Sequence, residues 1–381
     1  MDFQLSDDQM AIRDMAAGFA AAEIAPHALE WDRDRHFPVE VIRQACALGL
    51  GGIMVSDAHG GSNLGRVDAV LIYEALARAC PAISAYLSIH NMVAQMIDRY
   101  GAQPMKAAYL PRLCRGDILA SYCLTEPGSG SDAAALTTRA ERTANGFVLN
   151  GQKMFISGAG ETDLYVVMAR TGGPGPKGVS AFVVEKGTKG LSFGANERKM
   201  GWHAQPTRTV AFDGVELPDT ALLGDEGAGF RYAMAALDGG RTSIAACSLG
   251  GAQAAFDKAL AYMADRKAFG QKLTEFQALQ FALAEMATEI EVSRTFLWRA
   301  AAALDAKLPE ATRLCAMAKK HVTDAGFEVA NRALQLHGGY GYLADYGVEK
   351  IVRDLRVHQI LEGTNEIMRL IIARSVISGA A

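Results

Sequence analysis

Apolar residues recur three and four positions apart through the first third of the chain. Ser6 stands ahead of Met10, Ile12, Met15 and Phe19, with Asp7 and Asp8 between them. That spacing predicts a helix capped by the Ser6 hydroxyl and favoured by two acids at its positive end. Ala69 to Cys80 and Met92 to Tyr100 continue the helical pattern, and nowhere here does the sequence alternate with period two. Near Thr125 the pattern changes. Leu164 to Met168, Val179 to Val184 and Thr207 to Phe212 are short apolar runs that predict strands, and Asn145-Gly146 and Asn150-Gly151 predict turns. Beyond the Gly-rich stretch Gly224 to Gly229 the chain turns helical again, over Gly251 to Ala268, Phe276 to Ala306 and Pro309 to His337. Long Ala-rich helices stopped by Gly-Gly predict a bundle. The fold class expected is α+β and multidomain: a helical domain over 1–120, a β domain over 121–230 and a helical bundle over 231–381. This order does not fit the βα alternation of a doubly wound sheet.

Composition narrows the function classes. With 381 residues, 50% hydrophobic and 21% charged, the chain can bury a sizeable core and is neither disordered nor collagen-like. No apolar run approaches the roughly 18 residues of a membrane span. The acidic start, at Asp7 and Asp8, is unlike a basic targeting peptide, so the expected location is the cytoplasm. A net charge of −4 argues against nucleic acid and leaves any polyanionic ligand to local Arg or Lys. The six cysteines are scattered without a Cys-x-x-Cys pair, which predicts reduced core residues. The eight histidines form no His-Glu-x-x-His pattern, so no metal site is expected.

Several loops carry candidate chemistry. Gly173-Pro174-Gly175-Pro176-Lys177-Gly178 matches the Gly-x-Gly-x-x-Gly dinucleotide pattern, but two prolines interrupt it and a strand-like run follows, so a hairpin connection is expected instead. Tyr122 to Asp132 places hydroxyl side chains and free backbone N–H groups at the junction of the helical and β regions, as a ligand loop or as a linker. Asp238-Gly239-Gly240-Arg241-Thr242 has the look of a helix start, with Arg241 a ligand contact or a surface charge. His337 to Tyr342 can simply stop a helix. Glu362-Gly363-Thr364-Asn365-Glu366 opens the last helix, with Thr364 as its cap. Glu366 there can do no more than offset the helix dipole. Glu362 lies before the cap and after the apolar Ile360-Leu361, a setting in which lost hydration raises a carboxyl toward the pKa of a useful base.

Taken in order, these segments resemble the acyl-CoA dehydrogenase family over nearly the whole chain. The resemblance rests on Tyr122 to Asp132, Phe155 to Gly158, Gly239-Gly240-Arg241, Arg266 to Gly270, Gln335 to Gly341 and Glu362 to Glu366. The finer pattern, in Phe155 to Glu161, Thr171 to Gly178 and Arg356 to Gly363, is similar to the branch acting on isobutyryl-CoA. Phe155 and Ser157 stand where many relatives carry Trp and Thr.

The resemblance implies a homotetramer with FAD between subunits, and oxidation of isobutyryl-CoA to methacrylyl-CoA in valine catabolism with electrons passed to an electron-transfer flavoprotein. It implies that Tyr122, Leu124, Thr125, Gly130 and Ser131 line the flavin, Ser131 also reaching the CoA side, and that Phe155 and Ser157 flank the ring. Arg266, Phe269, Phe276, Gln277, Gln335 and Gly339 match positions for the FAD diphosphate and adenine, some serving a neighbouring subunit. Thr364, Asn365 and Glu366 match a further flavin contact, and Asp238 and Arg241 a substrate contact. Glu362 matches the base. In the isovaleryl branch the base comes from the helix near Gly240, where a glycine cannot serve. The alternatives are butyryl-CoA or 2-methylbutyryl-CoA as substrate and, from another class, a nucleic-acid-binding protein on the same scaffold. The charge balance and the presence of Glu362 and Arg241 speak against the last.

Overall fold

Ser6 caps the first helix as expected: its hydroxyl accepts from the Gln9 amide, and the Gln9 side chain accepts from the Ser6 amide in return. The computed structural model describes residues 4–379. The N-terminal part holds α1 (Asp7–Phe19), α2 (Ala28–Asp34), α3 (Val39–Ala45), α4 (Arg66–Ala79), α5 (Pro81–Tyr100) and α6 (Gln103–Arg115). The strands follow as β1 (Ala120–Cys123), β2 (Arg139–Thr143), β3 (Gly146–Ser157), β4 (Leu164–Arg170), β5 (Val179–Glu185), β6 (Leu191–Phe193) and β7 (Thr207–Leu217). The last part holds α7 (Gly229–Asp265), a small hairpin of β8 (Lys267–Ala268) and β9 (Gln271–Lys272), α8 (Gln277–Asp305), α9 (Ala311–Leu336), α10 (Val348–Arg356) and α11 (Asn365–Ile377).

The seven strands form one sheet in the order β1-β4-β2-β3-β7-β6, with β5 also paired to β4. β1 and β4 run parallel, whereas β4–β5, β2–β3, β3–β7 and β6–β7 are antiparallel. Both faces of β4 are buried, which is why its sequence is uniformly apolar rather than alternating. Leu164, Val166 and Met168 pack with Val93 and Ile97 of α5 and Leu110 of α6. Tyr165 and Val167 point the other way, into a core with Phe147, Phe182 and Phe212. The Gly173 to Gly178 stretch joins β4 to β5 as a hairpin connection, as the prolines predict.

Two local expectations change. Asn150-Gly151 is not a turn but a bulge inside β3, where the register on β7 shifts and Gly151 takes φ +139°. Asp238 to Thr242 is not a helix start: α7 runs unbroken through Gly239-Gly240 and again through Gly250-Gly251. Each Gly costs a helix about 1 kcal/mol relative to Ala, but α7 crosses its neighbours at these points. A side chain at Gly250 would overlap the Glu74 carbonyl of α4. Close backbone packing decides the helix where propensity would end it.

All six cysteines are buried and unpaired. Among the described residues no helix is long and apolar enough to cross a membrane, and no cluster of His, Cys, Asp or Glu could hold a metal ion.

One buried ion pair ties the sheet to the loop that follows β1. Lys153 of β3 donates to Glu126 Oε1 at 2.7 Å and to the Leu124 carbonyl at 3.0 Å, with both charged side chains out of water. Glu126 also accepts from the amides of Thr137 and Thr138. Burial pushes the Glu126 carboxyl up, but the Lys153 ammonium and these donors hold it at about 2. A depressed pKa contributes stability that is complete above about pH 4.5 and is lost as pH falls toward 2. Lys153→Met strands the carboxylate and is expected to cost roughly 3–5 kcal/mol at pH 7, most of it recovered in Lys153→Met/Glu126→Leu. Denaturant unfolding of the two variants measures this, and equal losses in both would refute it.

Candidate active site

The carboxyl side chain of Glu362 sits where three elements meet. Its backbone is left-handed, at φ +57°, and Gly363 continues in the same region at +87°. For a non-glycine residue this conformation is uphill and persists only when the surroundings enforce it. The Thr364 hydroxyl then caps α11 by accepting from the Ile367 amide. Glu362 therefore precedes the helix it was expected to precede.

Glu362 Oε2 is sealed from solvent and has no hydrogen-bond partner. It lies against the bare backbone of Gly240 on α7, where any β-carbon would collide with it. Burial raises its pKa, and the positive charges of Arg241 and Lys319 pull it back, leaving it at about 7. The Tyr122 hydroxyl at the end of β1 is likewise buried and unpartnered, and the nearby Glu362 charge adds to burial in raising its pKa. A third orphan atom, Nε of Arg241, completes the group, while Nη1 of Arg241 pairs with Asp238, whose other oxygen accepts from Thr312 at 2.7 Å. Next to Gly240, Gly239 lies against the buried guanidinium of Arg66, which donates to Gln95 at 2.9 Å. Buried polar atoms left without partners are rare in folded proteins and mark a place for a ligand.

The loop from Leu124 to Asp132 follows Tyr122 directly from the end of β1. Glu126 and Ser129 exchange backbone hydrogen bonds, the Ser129 hydroxyl donates to the Asp132 carbonyl, and the Met154 amide donates to the Thr125 carbonyl. So braced, the loop leaves Gly128 and Gly130 with open space where a side chain would stand, and Ser131 exposed. Phe155, on a bulge of β3, takes φ +59° and leaves 59% of its surface exposed. Ser157 closes the strand, its carbonyl accepting from Ser121. A strained, exposed aromatic beside a rigid Gly- and hydroxyl-bearing loop fits a planar ring system with a polar edge, as in a flavin.

A second cavity, of about 630 Å³, lies between the C-terminal end of α7 and the α9 terminus. Arg266, Gln335 and Gly339 line it with Tyr262, His337 and Tyr340, and the Arg266 guanidinium lies over the Tyr340 ring. Phe269, on the small hairpin, is 97% exposed and meets Phe276 edge-on at the start of α8, next to the exposed Gln277. This lining includes none of Tyr122, Phe155, Arg241 and Glu362. An exposed cation and aromatic platform suits a diphosphate and a purine.

Glu366 is exposed and pairs with Arg369. Asn365 is buried, its amide oxygen accepting from Lys319 Nζ at 2.8 Å and its nitrogen donating to Asp324 at 2.7 Å and Thr323 at 3.0 Å. Lys319 and the Gly240 contact escaped the sequence reading. Lys319 had a signal: it falls four residues after Cys315 and three before Val322, on the apolar face of α9, where an unpaired lysine is costly.

The chain is similar to known proteins over nearly its whole length. The N-terminal, middle and C-terminal domains described for acyl-CoA dehydrogenases match residues 6–117, 121–215 and 227–377. The chain is 52% identical to a mitochondrial isobutyryl-CoA dehydrogenase of Bos taurus, covering 98% of this chain and 90% of that protein. The structure of butyryl-CoA dehydrogenase from Megasphaera elsdenii superposes with a TM-score of 0.96 at 36% identity, covering 99% of this chain and all of that one. An FAD complex of PigA superposes at 0.95 and 30% identity, covering 99% of each chain. Matched by all three domain descriptions and by relatives over nearly its whole length, the protein belongs to the acyl-CoA dehydrogenase family of FAD-dependent oxidoreductases.

Proposed function

We propose that this acyl-CoA dehydrogenase oxidises a short α-branched acyl-CoA, isobutyryl-CoA before others, with Glu362 as the base. The observation that carries the assignment is the unpartnered, solvent-sealed Oε2 of Glu362, held against Gly240 and facing Arg241 and Lys319. An isobutyryl thioester has one α proton, only weakly acidic, so its removal needs a carboxylate at close range with no competing hydrogen bond. A pKa raised by burial to about 7 makes Glu362 a stronger base than an ordinary carboxylate while it can still ionise near neutral pH. FAD bound there would supply the two-electron acceptor for the β hydride, which balances loss of the α proton to Glu362 and formation of the C=C bond of methacrylyl-CoA. Gly240 keeps the base's side clear, and Arg241 and Lys319 offset the charge of its ionised form. The product's proton remains on Glu362 Oε until the site opens to water.

Tyr122, Leu124, Thr125, Gly130, Ser131, Phe155 and Ser157 would hold the flavin ring, with Asp238, Arg241 and Ser131 toward the thioester. Arg266, Phe269, Phe276, Gln277, Gln335 and Gly339 would hold diphosphate and adenine. That the lining around Arg266, Gln335 and Gly339 contains neither Glu362 nor Phe155 supports a shared cofactor site, in which this cavity serves a neighbouring subunit of a homotetramer. The exposed Phe269, Tyr342, Val376 and Ile377 support such burial on assembly. Electrons would pass to an electron-transfer flavoprotein. The identity to an isobutyryl-CoA dehydrogenase over 98% of the chain supports the substrate and its place in valine catabolism.

Glu362→Gln keeps the shape and loses the base. Turnover should fall at least about a hundredfold while about one FAD per chain is retained, measured by dye reduction and by absorbance. Near-normal turnover would place the base elsewhere.

The pH profile follows from the raised pKa. kcat/KM should rise about tenfold per pH unit below 7 and level off above it, because only the ionised base works. The same shift carries a stability sign: the neutral carboxyl is preferred in the fold, so stability from this group is complete below about pH 4.5 and is lost as pH rises through about 7. Glu362→Gln should accordingly melt higher than the wild type at pH 8 and close to it at pH 4.5.

A pocket wide at the α carbon but short accepts isobutyryl-CoA and 2-methylbutyryl-CoA, tolerates butyryl-CoA less well and excludes octanoyl-CoA. Neighbouring substrates should differ by ~10- to 200-fold in kcat/KM. Octanoyl-CoA or isovaleryl-CoA as best substrate would overturn the substrate assignment and leave the family untouched.

A further inference from the structure

We propose that Lys319 is a positioning residue for the reaction, clamping the Glu362 loop in its strained conformation and supplying the positive charge that keeps Glu362 ionisable. The proposal rests on the reading of Glu362 as the base.

Lys319 lies in the middle of α9 with its side chain buried among apolar neighbours such as Cys315 and Val322. Its ammonium donates to the Gly363 carbonyl at 2.8 Å and to Asn365 Oδ1 at 2.8 Å. The first acceptor belongs to the turn at which Glu362 and Gly363 take positive φ, and the second lies two residues beyond it. Asn365 is locked in turn: its nitrogen donates to Asp324, which also accepts from Gln359 at 2.8 Å and pairs with Lys320 at 3.2 Å. The loop from Gln359 to Asn365 is thus fastened to α9 on both sides of Glu362. These bonds brace the turn in which Glu362 is left-handed, and their loss lets the backbone relax at the expense of the side chain's placement.

The charge argument is independent of the bonds. No carboxylate pairs with Lys319 among the described residues, so a buried ammonium is held by neutral oxygens alone. Burial lowers its pKa to about 8, with Glu362 and Asp324 opposing that fall, Arg241 adding to it and Glu366 opposing weakly. Lys319 in turn adds to burial in holding His358 neutral. The groups facing Glu362 are Arg241 from α7, Lys319 from α9 and the Tyr122 hydroxyl from β1. Arg241 is already committed to Asp238, whereas Lys319 has no acid of its own. Two buried, opposite and otherwise unpaired charges stabilise each other through the low-dielectric interior, and removing one raises the cost of the other.

The test titrates Glu362 directly. Infrared spectra of the holoenzyme across pH contain a carboxylic-acid band identified by its loss in Glu362→Gln, and its midpoint reports the base without any turnover. Lys319→Met should move the midpoint upward by about one pH unit. It should lower kcat about tenfold, with KM for isobutyryl-CoA within about twofold of the wild type and FAD retained. Lys319→Gln, which keeps a donor for Gly363 and loses the charge, should move the midpoint equally and lose less kcat, and it stands in if the Met variant does not fold. An unmoved midpoint in these variants overturns the electrostatic role, and unaltered kcat at high pH in Lys319→Met overturns the clamp. If Glu362→Gln turns over normally, it is the base assignment that fails, whatever the Lys319 variants do.

Discussion

Holding a carboxyl in a dry site with no donor on one oxygen is uphill, and the architecture around Glu362 answers that cost from three directions. α7 must come close with no side chain at Gly240, α9 must bring Lys319 from behind, and the chain before α11 must turn through two left-handed residues. None of these features stabilises the protein by itself. A glycine in mid-helix, a lysine on an apolar face and a glutamate at positive φ are each unfavourable, and their coincidence at one point marks the region where stability has been given up for chemistry.

Tyr122, which faces Glu362, belongs to the sheet, so its placement depends on how the middle of the chain docks on the helices. That docking runs through buried polar contacts as well as apolar packing. The Trp202 amide donates to Asp354 of α10 at 2.6 Å, and the Trp202 indole donates to His358 at 3.2 Å. Because His358 Nε2 accepts there, its Nδ1 carries the proton and donates to Ser248 of α7. Burial holds this imidazole neutral, so the contact persists through the physiological range. Lys350 satisfies the second oxygen of Asp354. Such a fully partnered network fixes register between units where apolar packing alone would allow sliding. On the sheet side, the Lys153–Glu126 pair does the same for the loop that carries Ser129 to Asp132.

Much of this was legible from residue pattern. The caps at Ser6 and Thr364 have local physical causes, and so do the β4–β5 hairpin and the all-apolar β4. Glu362 stood out because a carboxylate sat between an apolar stretch and a cap. What stayed hidden depends on distant partners. Gly239-Gly240 looks like a helix boundary until α7 is seen to need bare backbone against Glu362 and Arg66. Gly151 looks like a turn until the β7 register shows a bulge. Lys319 lies 43 residues before Glu362, and only the packing of α9 against the final loop joins them. The flavin contacts proposed for the loop after β1 rest on the family resemblance, because spacing alone leaves a choice between ligand loop and linker.

The most direct measurement of the central claim, that a buried Glu362 removes the α proton, separates that step from oxidation. Enzyme whose FAD has been reduced beforehand cannot accept the β hydrogen, so a bound isobutyryl-CoA can only exchange its α proton with solvent. In heavy water the wild type should wash deuterium into the α position and not into the methyl groups, while Glu362→Gln should do neither. Exchange by Glu362→Gln at the wild-type rate would contradict the account.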